Sequence, residues 1–431
     1  MNDKFAYYTV TARFATIEKE VEKSAKISIN SFANDKTIDT GILSRLLPSG
    51  SKPSNCINAI IADFVNECKK YDSVSDMYNR APFLFAEHYF YYKLLDDYNK
   101  KRDKKMSKDP FFKTKLNDYR KKFLGKEKKN LTQINNLFSQ KEMPNLSIII
   151  QICIDANTAD LSQHGAKAYN NTSEILHGDS SKVEEFISRH KDQDFNISII
   201  VDNTGIELLN DLLLAIYLLD KDLVKTVTFH AKVFPMYVSD VIFNPNGYGD
   251  DFSQLTDFLE KNILCSEYKD SIETFIGRYK ELLDDKKILI KPNALWNMPF
   301  AFNESENMRK AFDSAMEGCS DLIIVKGDLN YRKLVGDKHW RYDKTFSSAL
   351  REYKYSVLAI RAIKSSVIIG ATQEQASTVR NNLNGYDAKY GQVQFYEKKK
   401  KKSDFLDTGA INSLQVTSDS HIMAGHGEVD K

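Results

Sequence analysis

The spacing of apolar residues in this chain predicts an α/β fold. It is a doubly wound, mostly parallel sheet with helices on both faces, preceded by an N-terminal helical lobe. Two observations carry that prediction. Up to about residue 140 the apolar residues recur only at helical spacing. From Leu146 onward, short β-branched runs alternate with longer helical patterns. Buried strands separated by amphipathic helices are the signature of a parallel sheet covered on both sides. No internal repeat interrupts the pattern.

In order along the chain, Ile57, Ile60, Ile61, Phe64, Val65 and Cys68 fall on one helical face. Phe83 to Tyr98 reads as a strongly aromatic helix that serves as core rather than as a movable gate. Lys100 to Lys129 is basic and polar, and reads as solvated helices and a linker. The predicted strands are Leu146–Ile154, Ile197–Asp202, Thr226–Ala231, Ile288–Ile290, Leu322–Val325, Ser366–Ile369 and Val393–Tyr396. Helices are expected at Gly205–Leu219, Asp251–Lys261 and Tyr268–Leu283. The division that follows is a helical lobe at 1–140, an α/β domain at 141–410 and a polar tail at 411–431. The run Lys398–Lys402 reads as a solvated loop.

Composition sets bounds on function. The chain has 431 residues, 42% of them hydrophobic, enough for a sizeable core. Sixty-one Lys and Arg face 59 Asp and Glu, for a net charge of +2. That balance gives no reason to expect a nucleic-acid or membrane partner. Five cysteines (Cys56, Cys68, Cys153, Cys265 and Cys319) have no zinc-like spacing and read as reduced thiols. Met1 to Phe14 has no continuous apolar stretch of the signal-peptide kind, and no run is apolar enough to span a bilayer. The expectation is a soluble, cytoplasmic protein; nothing in the sequence sets its oligomeric state.

Ligands of open α/β sheets sit beyond the carboxyl ends of the strands, so polar residues that follow apolar runs are the candidates. Ile199-Ile200-Val201-Asp202-Asn203-Thr204-Gly205 ends a strand in a carboxylate and an amide. These are hard oxygen donors suited to Mg²⁺ or Mn²⁺, though either residue is equally suited to capping the next helix. His230-Ala231-Lys232 leads on to Asp240, which would complete an oxygen face or simply serve a turn. Lys326-Gly327-Asp328-Leu329-Asn330-Tyr331-Arg332 follows another strand. Its glycine turn before a helix suits an anion, but lacks the spacing of a nucleotide-binding loop. Arg361 and Lys364 are placed three apart on one helical face, either for phosphate or as a surface pair. Together these are the ingredients of phosphoryl transfer: hard metal ligands and cations for a phosphate.

At this point the residues resemble a known family. Phe5-Ala6-Tyr7-Tyr8-Thr9-Val10-Thr11-Ala12-Arg13, Leu84-Phe85-Ala86-Glu87-His88-Tyr89, Asp202-Asn203-Thr204-Gly205-Ile206-Glu207-Leu208, Val238-Ser239-Asp240 and Lys326 to Leu334 resemble the DUF89 metal-dependent damage-control phosphatases. The likeness is to their sugar-phosphate subfamily, which is acidic residue methyltransferase 1-like, and it covers nearly the whole chain. The resemblance implies a divalent metal held by Asp202, Asn203 and Asp240: Mn²⁺ or Mg²⁺, with Co²⁺ or Ni²⁺ as alternatives. Asp202 or Asp240 would double as base. The resemblance further implies a substrate site lined by Asp328, Leu329, Asn330, Tyr331, Arg332 and Lys364, with Lys326 and Arg361 beside it. It suggests Arg13, Glu87 and Glu207 on the same pocket. The implied substrates are small phosphorylated metabolites such as fructose-1-phosphate. One departure stands out: the family's Arg-Thr-x-Lys reads Arg361-Ala362-Ile363-Lys364 here, without the hydroxyl.

Two other readings are open. An S-adenosylmethionine-dependent protein carboxyl methyltransferase would need a glycine-rich turn after its first strand. The run Leu146–Ile154 is instead followed by Asp155-Ala156-Asn157. A non-enzymatic metabolite-binding protein is the other reading, supported only by Ala362. Trp296 and Phe300 are equally suited to wall a pocket or to fill the core.

Overall fold

A computed structural model describes residues 4–29, 37–48, 54–125, 131, 134, 145–157, 174–191, 193–263, 267–318, 320–381 and 388–399. Seven strands form its main sheet: β1 (Glu174–Gly178), β2 (Asn196–Ile200), β3 (Thr226–Ala231), β6 (Ile288–Pro292), β7 (Leu322–Lys326), β8 (Ser356–Ala362) and β9 (Tyr390–Tyr396). A small antiparallel pair, β4 (Phe243–Asn244) and β5 (Gly249–Asp250), stands apart. The sheet order is β1-β9-β8-β7-β2-β3-β6. Every neighbouring pair is parallel except β8 with β9.

The alternation of side chains explains why both faces are covered. Ile323, Val325, Val357 and Ala359 share a hydrophobic cluster with Phe14, Ile60, Phe64, Phe85 and Tyr89 of the N-terminal helices. Leu322, Ile324, Leu358 and Ile360 point the other way, into a cluster with Leu209, Leu213, Phe252, Leu255 and Phe275. The helices behind that second cluster, Ile206–Asp220, Asp251–Ile263 and Lys269–Asp284, lie where helical periodicity puts them. The aromatic helix Phe83–Lys101 buries 13 residues, which makes it core. Among the described residues no helix is long and apolar enough to cross a membrane.

Four local expectations fail, each for a physical reason. Leu146–Asn157 is a helix, not a strand. The apolar run is too short and uniform for its type to be obvious. All but one of its buried positions, Leu146, Ile149, Ile150, Cys153, Ile154 and Asn157, with Ala156 the exception, nonetheless follow the helical period. Asn145 Oδ1 accepts from Ile148 N at 3.0 Å and starts the helix. Ser366–Ile369 is irregular chain, and the strand is β8 just before it, so Arg361 lies in a sheet rather than on a helix. A fully buried arginine inside β8 hid that strand from the apolar pattern. Strand β1 was not foreseen either.

The fourth failure is the stretch read as solvated. Within it, Lys115, Asp109 and Asp118 are buried, as are Tyr119 and Phe123, while 126–129 lie outside the described residues. The Lys115 ammonium sits 2.9 Å from Asp109 and 3.0 Å from Asp251. Burial pushes the Asp251 carboxyl up to about 6, against the pull of Lys115. Removing the shared cation strands two buried carboxylates. Lys115→Met is therefore expected to lower the unfolding free energy by about 3–5 kcal/mol. Urea titration reads this directly, and a loss below about 1 kcal/mol would show that the triad is not structural. Of the cysteines, Cys56, Cys68 and Cys153 are free thiols, and Cys265 and Cys319 lie outside the described residues, as do 411–431.

Candidate active site

Strand order reverses between β2 and β7: the chain steps from β2 outward through β3 to β6, then returns to the other side of β2. Such a reversal opens a crevice at the carboxyl ends of the two strands. Ile200 pairs with His230 on one side and Val325 on the other, and Val325 pairs with Ala359. The strands therefore end level. They deliver Asp202 after β2, Lys232 after β3, Gly327 after β7 and Lys364 after β8 to one place.

The turn after β2 is held from several directions. Asn203 and Asp240 face each other across an isolated antiparallel bridge. Val241 N donates to Asp202 O at 2.9 Å, and Thr204 N to Ser239 O at 2.8 Å. Tyr119 OH and Thr204 Oγ1 lie 2.5 Å apart. Gly205 has φ +77°, the left-handed region that favours glycine, and turns the chain into the helix Ile206–Asp220. On the far side, Gly327 is pressed so close to Asp202 that a Cβ there would stand 1.8 Å from Asp202 Oδ2. Asn330 Nδ2 closes the crevice by donating to Val201 O at 3.0 Å and Lys326 O at 2.9 Å.

Charge is concentrated in this spot. Asp202, Glu207, Asp211 and Asp240 are all buried, and so are Lys232, Lys326 and Lys364. Lys232 Nζ is 3.1 Å from Asp240 Oδ2, which also accepts from Tyr237 N at 3.1 Å. Lys326 Nζ lies 2.7 Å from Asp211 and 3.2 Å from Glu207. Burial, then the neighbouring Glu207, pushes the Asp202 carboxyl well above the usual carboxylate range. Asp240 is raised by burial against the pull of Lys232. Asp211 is pushed up to about 7 by burial, opposed by Lys326.

Among the described residues, no group of three or more His, Cys, Asp or Glu is disposed around a common metal position. The set at hand is two carboxylates and an amide, and its chemistry fits a hard divalent cation. Asp202 is destabilised as an anion by the carboxylates around it, a cost that a dication would offset. The Asn203 amide is turned so that Nδ2 donates to Asp202 and Glu207, both at 2.9 Å. That leaves Oδ1 with Ser239 Oγ at 2.7 Å and with room in its valence for a cation.

The remaining sequence candidates fall into two groups. Asp328, Leu329 and Asn330 form the first turn of the helix Asp328–Val335, whose early N–H groups are of the kind that suits an anion. Asp328 Oδ1 accepts from Arg361 Nη1 at 2.7 Å and from Lys364 N at 3.2 Å. Arg361 is wholly engaged: it also bonds Gln392 and Val367 O, and stacks 3.7 Å over the Tyr331 ring. The second group lies behind Tyr237. Tyr237 OH donates to Glu87 at 3.0 Å, and Arg332 bonds both Glu87, at 2.8 Å, and Asp337. Arg13 is buried at the end of the π-helix Thr9–Arg13, just before Phe14 stacks on Phe90 of the Glu87 helix. Its membership of the pocket rests on the resemblance alone.

Three other residues have partners of their own. His230 bonds Ser198 and packs edge-on against Trp296, and burial holds its pKa down at about 3. Trp296 is core, wedged against Phe302 and Phe312. Phe300 lines a separate cavity of about 240 Å³ with Phe85, Glu304 and Asp337. Two residues of the network went unforeseen: Asp211, the partner of Lys326, and Asn157, whose side chain touches both Asp202 and Glu207. For Asn157 a signal was present. Its signal was the helical period of Leu146–Asn157, which places it on the buried face.

Comparison with known proteins supplies an independent line. The pattern of the damage-control phosphatase ARMT1-like domain matches residues 9–379. A Xenopus tropicalis protein named damage-control phosphatase ARMT1 is 28% identical over 281 residues, 61% of each chain. The Danio rerio protein of that name is 31% identical over 202 residues, 46% of this chain and 42% of its own. The chain thus spans about three fifths of the first relative's length. A DUF89 family protein of known structure from Pyrococcus horikoshii covers 91% of this chain and 98% of its own. It does so at 13% identity and a TM-score of 0.43.

Proposed function

Because the chain belongs to the damage-control phosphatase ARMT1-like family, we propose that it hydrolyses phosphomonoesters of small metabolites, with a divalent metal held by Asp202, Asn203 and Asp240. The observation that carries this reading is the meeting of those three donors with Lys232 and Lys364 at the switch point of the sheet. The metal, Mn²⁺ or Mg²⁺ with Co²⁺ and Ni²⁺ as alternatives, supplies charge neutralisation and a water of lowered pKa.

The chain's own groups do the rest. Lys232 keeps Asp240 aligned and ionised. The Lys364 ammonium, tethered at 2.8 Å to Asn157 O, brings a positive charge to the phosphate side of the site. The first N–H groups of the helix Asp328–Val335 complete the anion well. Either Asp202 or Asp240 accepts the water's proton. Lys326 is held by Asp211 and Glu207, and Glu207 also by Asn157 and Asn203, so they shape the site rather than touch phosphate. Asn330, Asp328 and Glu87 are suited to sugar hydroxyls, and fructose-1-phosphate and related sugar phosphates are the proposed substrates. No observation favours the methyltransferase reading, since its candidate first strand is a helix.

The test is phosphate release from a panel of sugar phosphates after chelation, then with each divalent metal restored. We expect activity to vanish on chelation and return with metal, led by fructose-1-phosphate. No release from any substrate with any metal would sink the reading.

A further inference from the structure

Asn157 stands where every part of the candidate site meets. Its Nδ2 donates to Glu207 Oε2 at 2.8 Å and leans toward Asp202 Oδ2 at 3.4 Å. Its Oδ1 accepts from Ala362 N at 2.8 Å. Its main-chain oxygen accepts from Lys364 Nζ at 2.8 Å. The side chain is fully buried, at 0% exposure. One end of it therefore faces two carboxylates and must donate, while the other faces a backbone N–H and must accept. That pattern fixes the orientation of the amide, which a carboxylate could not reproduce without a proton.

The same two oxygens are gripped a second time. Asn203 Nδ2 donates to Asp202 Oδ2 and to Glu207 Oε2. Two amides thus hold one carboxylate pair from opposite chain segments. One of them is a candidate ligand itself, and the other comes from the end of the helix Leu146–Asn157. The contact with Ala362 is to its backbone, so it survives the loss of the family's threonine hydroxyl at this position.

We propose that Asn157 is a positioning residue for the metal centre: its amide helps hold the Asp202 and Glu207 carboxylates in place for the cation, and its main-chain carbonyl docks Lys364 beside the phosphate. This rests on the metal-dependent reading above and deepens it. Groups that orient first-sphere ligands typically change metal affinity or activity by about 10–100-fold when removed.

The test uses the full chain with Asn157→Leu, which keeps the branched shape and loses the amide, and Asn157→Ala, which leaves space for water. Titration calorimetry reads the Kd for Mn²⁺ alone, and melting of the metal-free protein identifies folded variants. We expect each folded variant to bind Mn²⁺ about 10–100-fold more weakly. Turnover should fall with it, while KM stays within about threefold, because the docking of Lys364 uses the main chain. A folded variant of either kind that keeps the unsubstituted Kd overturns the proposal. An unsubstituted chain that binds Mn²⁺ but releases no phosphate would sink the phosphatase reading alone, and the Kd comparison would still decide the role of Asn157.

Discussion

Asp202→Ala is expected to lower metal-restored phosphate release by about a thousandfold or more, the equivalent of at least about 4 kcal/mol of barrier. Asp202 is the candidate ligand with the most company. Gly327 abuts its carboxylate, Asn157 and Asn203 donate to it, and Val241 holds its backbone. Burial and the repulsion of Glu207 and Asp240 outweigh the attraction of Lys232 and Lys364 on its charge. The metal-free variant should therefore melt no lower than the unsubstituted chain, as is common where a functional site holds uncompensated charge. Stopped assays over a range of metal concentration, beside a melting curve, check both halves. Near-normal turnover in a folded variant would remove Asp202 from the mechanism.

Gly327→Ala should be nearly as damaging, by a different route. Its backbone sits at φ +81° and ψ 165°, a region essentially reserved for glycine. The added Cβ would stand 1.8 Å from Asp202 Oδ2 and 2.2 Å from Asp202 Cγ, so the carboxylate must move. We expect at least about 2 kcal/mol of lost stability from the backbone alone. Loss of metal binding should accompany it, because the clash pushes the Asp202 carboxylate away from Asn203 and Asp240. Denaturant unfolding and calorimetry with Mn²⁺ separate the two effects. A variant that is as stable as the parent and binds metal normally would mean that the close approach is not maintained in solution.

Much of this was legible in the sequence, and the reasons for the exceptions are physical. The strands at Thr226–Ala231 and Leu322–Lys326 announced themselves as short apolar runs ended by charge, and the charges at their ends are the site. The helix Ile206–Asp220 was equally plain once Gly205 was read as a turn. Strand β8 was hidden because Arg361 sits inside it, and a buried arginine looks like a surface residue until Asp328, Gln392 and Tyr331 are seen around it. Lys115 misled for the same reason: partners distant in sequence decide whether a charge is solvated. Asn157 was invisible as a functional residue because its partners come from two other segments, at Asp202 to Glu207 and at Ala362 to Lys364.

The interior position of β2, between β7 and β3, also has a consequence for how the protein is made. Its partner β3 follows soon in the chain, but Ile197 meets Leu322 only after β7 has been synthesised. At typical translation rates of roughly 5–20 residues per second, the nascent sheet presents the unpaired side of β2 for several seconds. Strand edges left open in this way invite pairing with other chains. Cellular yield of this protein should consequently respond more to translation speed between β3 and β7, and to chaperones that shield strand edges, than to changes at the finished surface.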